Sequence, residues 1–464
     1  MKSSRQSLFL RATFVAAAIL LPLPCTLRAA DYEPKPANAY FLKFNPRKAP
    51  APGRLILKEG DRLAIIGDSI TEQRMYSRII ETYLTVCEPQ LKIAARQFGW
   101  SGETAEGFLH RMTNDCLRFQ PTVATLCYGM NDHKYRPFDM ENEQWYAENS
   151  AAIVRSLQAA GAVVVLGSPG CVGKVPRWTK SEAYTLDELN INLCALRDCD
   201  IALARDFKTP FADVFWNLFN AGYEAQVRFG PDYAVTGKDG VHPGWAGHLV
   251  MAYSFLRAMG LDGDIGTLTV DLGAQSATAT AGHTVESFKD NQLTVLSSRY
   301  PFCASGETNS DTSVRSGATL VPFFQELSRF QLVVKNATAM EYRLVWGATT
   351  NRYTAAQLAA GVNLAADFVD NPFCESFQRV DEAVKAKQEY ETKQIKQIFH
   401  GPEGQTDMAK AVESTEAERA PLAQAIAEAM TPVRHTILIQ PVTAANLPAS
   451  PDLQPIPAGE GKPF

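Results

Sequence analysis

The strongest constraint on this chain is a rhythm between residues 61 and 260. Short apolar runs at Leu63–Ile66, Thr122–Cys127 and Ala162–Leu166 alternate with longer segments whose apolar residues recur three and four apart. A strand that is apolar along its whole length must be covered on both faces, and intervening helices supply that cover. After the first strand, Tyr76, Ile79, Ile80, Tyr83, Leu84 and Cys87 share one helical face. Further strands are expected at Leu91–Ala95 and Phe211–Val214. Helices are expected from about Ala105 and over Asn142–Ala160, Leu186–Phe207, Trp216–Ala225 and Trp245–Met259. This is the signature of an α/β protein with a doubly wound parallel sheet. Such sheets bind ligands beyond the carboxyl ends of their strands, where residues far apart in sequence converge.

The rest of the chain divides by composition. Residues 1–30 carry Lys2, Arg5 and Arg11, then an apolar run from Phe14 to Leu23 too short to span a bilayer, then Ala29-Ala30. That pattern is a secretory signal peptide, and it places the mature protein in a secreted or periplasmic setting. Pro22 and Pro24 argue against lipid attachment at Cys25. Residues 31–60 form an N-terminal lead-in, and 61–262 the α/β domain. Residues 263–443 are expected to form a β-rich accessory region, with strands near Leu268–Leu272, Leu293–Leu296, Phe330–Val334, Tyr342–Trp346 and His435–Ile439. A helical hairpin interrupts it: Phe377–Phe399, whose Lys, Glu and Gln content reads as a solvated face, and Gln405–Met430. The proline-bearing tail, 444–464, is expected to be disordered. Net charge is −5, and the leader holds four of the basic residues, so the mature chain is more acidic still. That argues against a nucleic-acid or anionic-membrane partner, and with no further stretch long and apolar enough to span a bilayer, no stable membrane insertion is expected. Of nine cysteines, Cys87 with Cys116 or Cys194 with Cys199 are spaced for bridging, and none has zinc-site spacing.

The chemistry sits just after the strands. Gly67-Asp68-Ser69-Ile70-Thr71 sets a hydroxyl on a turn at the tip of a buried strand. Asp239-Gly240-Val241-His242-Pro243 supplies a base and, three residues before it, a carboxylate to orient it. A serine needs such a base to become a nucleophile. Ser69, Asp239 and His242 are therefore the expected catalytic residues. The oxyanion created by attack on an ester carbonyl would be met by the Ser69 and Gly102 N–H groups and the Asn131 side-chain amide. Asp68 is read as holding the turn. Trp100, Arg177 and Trp178 are candidate substrate contacts, the last two on the loop Ser168–Ser181. No His, Cys or carboxylate cluster has ligand spacing, so no metal or other cofactor is expected.

The segments Gly67-Asp68-Ser69-Ile70-Thr71, Trp100-Ser101-Gly102-Glu103-Thr104, Gly129-Met130-Asn131-Asp132 and Asp239-Gly240-Val241-His242-Pro243 together resemble the four blocks of the SGNH (GDSL) hydrolase superfamily, over about residues 61–260. The resemblance implies a flavodoxin-like three-layer α/β/α fold and metal-free ester hydrolysis. One departure stands before the second block, where the family often carries Asn and this chain has Arg96 or Gln97. No Gly-x-Ser-x-Gly elbow surrounds Ser69, which argues against the α/β-hydrolase fold. The expected function is a secreted serine esterase that removes acetyl or other short acyl groups from a carbohydrate, its partner being an acylated small molecule or polysaccharide. A lipid acylhydrolase or thioesterase using the same residues, or a non-catalytic glycan-binding protein, are the alternatives. Since residues up to 262 supply every catalytic group, a chain of residues 31–262 is expected to keep activity if it folds.

Overall fold

The computed structural model describes residues 31–180 and 183–442. The leader at 1–30 and the tail at 444–464 lie outside the described residues. Five parallel strands form the first sheet: β1 (Arg62–Gly67), β2 (Ala94–Gln97), β3 (Val123–Cys127), β4 (Val163–Gly167) and β5 (Phe211–Ala212), in the order β2-β1-β3-β4-β5. That is the flavodoxin-like order. Alternate residues of β1 feed two separate cores. Leu63 and Ile65 pack with α2 (Tyr76–Cys87) and the late helix Trp245–Ala258. Ala64 and Ile66 pack with helices Ala105–Asp115 and Met140–Ala159 on the other face. The three layers expected from the sequence are thus present. Strand β2 starts three residues late because Pro89–Leu91 closes a 3-10 turn and Lys92 takes a left-handed φ of 49°. The cysteines form no bridge among the described residues. Each suggested pair is split between the two cores, with Cys87 and Cys194 on one side and Cys116 and Cys199 on the other.

The accessory region holds two further sheets. Strands β6 (Asp264–Asp271), β7 (Ser276–Ala279), β10 (Arg329–Lys335) and β13 (Val362–Asn363) form one, ordered β13-β10-β6-β7. Strands β8 (His283–Lys289), β9 (Gln292–Ser297), β11 (Glu341–Trp346), β12 (Thr349–Thr354) and β14 (Val433–Pro441) form the other, ordered β12-β11-β14-β9-β8. The sequence did not signal β7, β8 or β12. Each is largely solvated and carries no apolar run, so period-two patterning is faint there.

Between β13 and β14 the chain leaves the accessory sheets as two long helices, Cys374–Lys393 and Met408–Ala429, joined in part by a π-helical turn, Gln394–Phe399. The polar composition of the first helix suggested a solvated face. The structure overturns that: Lys387, Gln388, Glu391 and Gln394 are all buried. They cap the open edge of β2. The Ala95 carbonyl accepts from Lys387 Nζ (2.6 Å) and Arg419 Nη2 (3.1 Å), and the Gln97 N–H donates to Glu391 Oε2 (3.3 Å). An uncovered edge would leave these groups as a template for aggregation. Lys387 is held between Glu81 (3.0 Å) and Glu391 (2.8 Å), and Arg419 also pairs Glu391 (2.7 Å). Gln388 donates to Glu81 (2.8 Å) and accepts from Ser77 (2.7 Å).

A second buried polar network underlies the strand ends. Asp132 accepts from the Ala105 and Gly129 N–H groups, both at 2.9 Å. Glu103 accepts two bonds from Arg111 (2.6 and 2.7 Å) and one from the Tyr128 hydroxyl (2.6 Å). Asp68 accepts from the Ile70 N–H (2.9 Å) and starts the one-turn helix α1 (Ser69–Glu72). Burial pushes the Asp68 carboxyl up to about 7 against that hydrogen bond, with the Asp132 and Glu103 charges adding to the push. Burial likewise raises Asp132 to about 6.

Replacing Lys387 by Ala leaves the buried Glu81 carboxylate without a cation, while Glu391 keeps Arg419, and unfolding titrations should show a loss of about 3–5 kcal/mol. Residues 31–262 alone are expected to lack a cooperative melt by circular dichroism, because truncation bares the β2 edge and the face of α2 that the insertion covers. Asp68 holds its proton more tightly folded than unfolded. Its contribution to stability is therefore full at low pH and is lost as pH rises toward about 7. Asp68→Asn keeps an acceptor for the Ile70 N–H and removes the titration. Thermal scans should find D68N more stable than wild type by roughly a few degrees at pH 8, with the gap closing toward pH 4.

Candidate active site

Ser69 is the first residue of α1, set on the tip of β1 by the Asp68 cap. Its hydroxyl lies 2.8 Å from His242 Nε2. His242 Nδ1 lies 2.7 Å from Asp239 Oδ2. A carboxylate at Nδ1 fixes the ring proton there, which leaves Nε2 free to accept from Ser69. Asp239 also builds the turn that carries its partner: its Oδ1 accepts from the Val241 and His242 N–H groups, both at 2.9 Å. Partial burial works to raise the Asp239 carboxyl, but these backbone bonds and the imidazole outweigh it and hold the group below its ordinary value. The three expected catalytic residues, 173 positions apart at the extreme, are brought into one chain of hydrogen bonds.

Gly102 and Asn131 follow β2 and β3, the two neighbours of β1. Gly102 has φ +75°, a left-handed conformation that favours glycine, and the space a Cβ would occupy is open. The Asn131 amide donates to the Glu103 carbonyl at 2.9 Å. One of its two N–H bonds thus ties the β3 loop to the β2 loop, and the other remains for a ligand. The Trp100 N–H donates to the Gly67 carbonyl (3.1 Å), which seats the β2 loop against the turn before Ser69.

Trp178 is exposed and its ring lies 6.2 Å from that of His242. Tyr135, which sequence reasoning did not single out, stands edge-on to Trp178 at 5.7 Å and packs on buried His133 at 4.5 Å. Its signal was its place four residues beyond Asn131. Burial pushes the His133 imidazole down to about 4, so it stays neutral and serves as packing. Arg177 is exposed beside Trp178. Trp100 packs within the protein rather than beside Trp178. Its ring is taken up by Arg111 and Lys396, each 5.0 Å away, and by the edge of His400 at 4.9 Å, so it lies against the helical insertion. The departure at positions 96 and 97 has the same cause. Arg96 pairs with Glu416, and Gln97 donates to Thr392 (2.5 Å), so both residues serve the insertion. A cavity of about 680 Å³ opens behind the His242 turn, bounded by Gly240, Lys174, Tyr40, Tyr223 and Tyr233; neither Ser69 nor His242 lines it. Among the described residues, no group of three or more His, Cys, Asp or Glu could hold a metal ion, and no helix is long and apolar enough to cross a membrane.

Residues 65–250 match the GDSL-like lipase/acylhydrolase family. An acetylxylan esterase from Geobacillus stearothermophilus is 24% identical over 226 residues, 44% of this chain and 95% of that protein. Among solved structures, a gut microbial diltiazem-metabolizing enzyme is similar with a TM-score of 0.66 at 21% identity, over 84% of this chain and 100% of the other. That likeness extends the shared fold beyond the α/β domain. A catalytic mutant of the acetylxylan esterase Axe2 from Geobacillus stearothermophilus has a TM-score of 0.37 at 22% identity, over 44% of this chain and 96% of the other. Sequence blocks, strand order and family match agree over one part of the chain: residues 65–250 form a GDSL-like lipase/acylhydrolase domain, and the protein is a carboxylic ester hydrolase.

Proposed function

We propose that this hydrolase is exported and removes acetyl groups from a carbohydrate through an acyl-enzyme on Ser69. The hydrogen-bonded series Ser69–His242–Asp239 carries this reading. Ser69 Oγ attacks the ester carbonyl and passes its proton to His242 Nε2. Asp239, ionised and bonded to Nδ1, stabilises the imidazolium. The carbonyl oxygen becomes an oxyanion and is met by the Ser69 and Gly102 N–H groups and the second N–H of Asn131. His242 then gives that proton to the sugar's ester oxygen as its bond to the carbonyl carbon breaks, so the sugar leaves with a free hydroxyl and the acetyl group remains on Ser69. Water repeats the sequence, releases acetate and restores the serine.

Three observations support the finer parts of the reading. An exposed Trp178 beside the base, with Tyr135 behind it, offers an aromatic face of the kind on which sugar rings stack. The curated relative is an acetylxylan esterase. The features of residues 1–30 and the acidic net charge suit an exported enzyme acting on a polar substrate.

Acetate release from a panel of acetylated oligosaccharides and polysaccharides should be at least about tenfold faster than release of long acyl chains from p-nitrophenyl esters. A preference for long chains would reject the carbohydrate reading in favour of a lipid acylhydrolase. Ser69→Ala should lose both covalent labelling by a fluorophosphonate and activity, by about 10³-fold or more. Asn131→Ala should lower kcat by ~10²–10³ with KM nearly unchanged, since the amide answers charge that exists only in the transition state. A change confined to KM would instead assign Asn131 to ground-state binding.

A further inference from the structure

Three contacts link the helical insertion to the oxyanion loop. The Lys396 ammonium, on the π-helical turn, pairs with both oxygens of Glu72, at 2.7 and 2.9 Å. Glu72 is the last residue of α1, the turn that Ser69 begins. The same carboxylate accepts the backbone N–H of Ser101, the residue before Gly102. Lys396 also lies 5.0 Å over the ring of Trp100, the residue before Ser101. A single cation therefore holds the carboxylate that bridges the nucleophile turn and the loop bearing an oxyanion donor. The two segments also touch directly. A Cβ at Gly99 would lie 2.2 Å from Glu72 N and 2.5 Å from Thr71 C, so only glycine allows this approach. Thr392, one turn earlier in the insertion, accepts from Arg74 and Gln97 on the same two segments.

We propose that Lys396 is a positioning residue for ester cleavage: through Glu72 it fixes the Ser101–Gly102 peptide relative to Ser69, so that the helical insertion is part of the machinery that stabilises the oxyanion. The proposal rests on the serine-esterase reading above. Without the ammonium, the Glu72 carboxylate is free to turn to solvent, the Ser101 N–H loses its acceptor, and the Gly102 N–H moves relative to the carbonyl it must meet. Oxyanion donors act only within a narrow range of positions, and a displacement of about 1 Å can cost up to ~10²-fold in rate. The loss belongs to kcat, because ground-state substrate places little charge on that donor. It is also distinct from a general loosening of the insertion. Arg78 and Asp381 form an ion pair between α2 and the insertion away from the oxyanion loop, and supply the comparison.

The test uses the full chain. Lys396→Met should lower kcat on p-nitrophenyl acetate about tenfold with KM within about twofold, and should slow fluorophosphonate labelling of Ser69 in proportion. Lys396→Arg should recover kcat to within about threefold, since a guanidinium can also pair the carboxylate. Asp381→Asn should lower Tm while leaving kcat unchanged. Glu72→Gln keeps an acceptor for the Ser101 N–H but loses the ion pair. It should reproduce the kcat loss, and the double variant with K396M should lose no more than either single one. If K396M does not fold, E72Q and its Arg-rescued counterpart K396R carry the same comparison. Folded K396M with wild-type kcat, a change in KM alone, or additive losses in the double variant would overturn the proposal. Wild-type protein that a fluorophosphonate does not label at Ser69 would instead reject the underlying esterase reading.

Discussion

The interaction on which the arrangement depends is the buried ion cluster Glu81, Lys387, Glu391 and Arg419 along the edge of β2. Charges removed from water gain little net stability from pairing, because desolvation consumes most of the attraction. What they supply is position. Lys387 satisfies two carboxylates and the Ala95 carbonyl in one geometry, and sliding the insertion helix by one turn would strand all of them. Apolar packing alone would tolerate such a slip more readily, since hydrophobic contact is non-directional. The cluster thus sets the register of a helix whose next turns carry Thr392 and Lys396 to the catalytic loops.

Two electrostatic regimes meet at the site. Below the strand ends, Arg111, Glu103, Tyr128 and Asp132 form a network closed to water and saturated with hydrogen bonds. Above it, the imidazole and its carboxylate are partly solvated and face Trp178. The lower network immobilises backbone, and in the proposed mechanism the upper layer moves protons. Asp68 joins them, since it is buried with the carboxylates below and caps the turn that presents Ser69 above.

The α/β domain was readable from sequence because its cause is local. Continuous apolar strands and three-four spaced helical faces are pattern, and each motif block directly follows a strand. The juxtaposition of Ser69, His242 and Asp239 was readable for the same reason, and Asp239 and His242 lie within a single turn. Lys396 was not readable. It is 324 residues from Glu72, and its segment has the composition of an ordinary solvated helix. Burial of Lys387 and Glu391 arises only when a partner surface presents complementary charges, and that surface comes from α2 and β2. The surroundings of Trp100 were unreadable for a related reason: a tryptophan two residues before Gly102 looks the same in sequence whether its ring is open or lies against a cation from another part of the chain. The weak strands of the accessory sheets escaped because their side chains are wet, and their pairing is fixed by neighbours rather than by their own pattern.

The place of β14 in its sheet bears on how the protein is made. Residues 433–441 form the central strand, pairing with β9 on one side and β11 on the other. As the chain emerges during synthesis, β8 with β9 and β11 with β12 can form as hairpins, but each exposes an unpaired edge until the last described strand arrives. The same strand closes the far end of the insertion, whose two helices remain a long open loop before then. The module is therefore completed from its C-terminal end. A ribosome stalled anywhere before residue 433 would hold two adhesive sheet edges and an unanchored helical pair. For such a chain the exposure to self-association and proteolysis lasts until β14 has emerged, long after the α/β domain is complete.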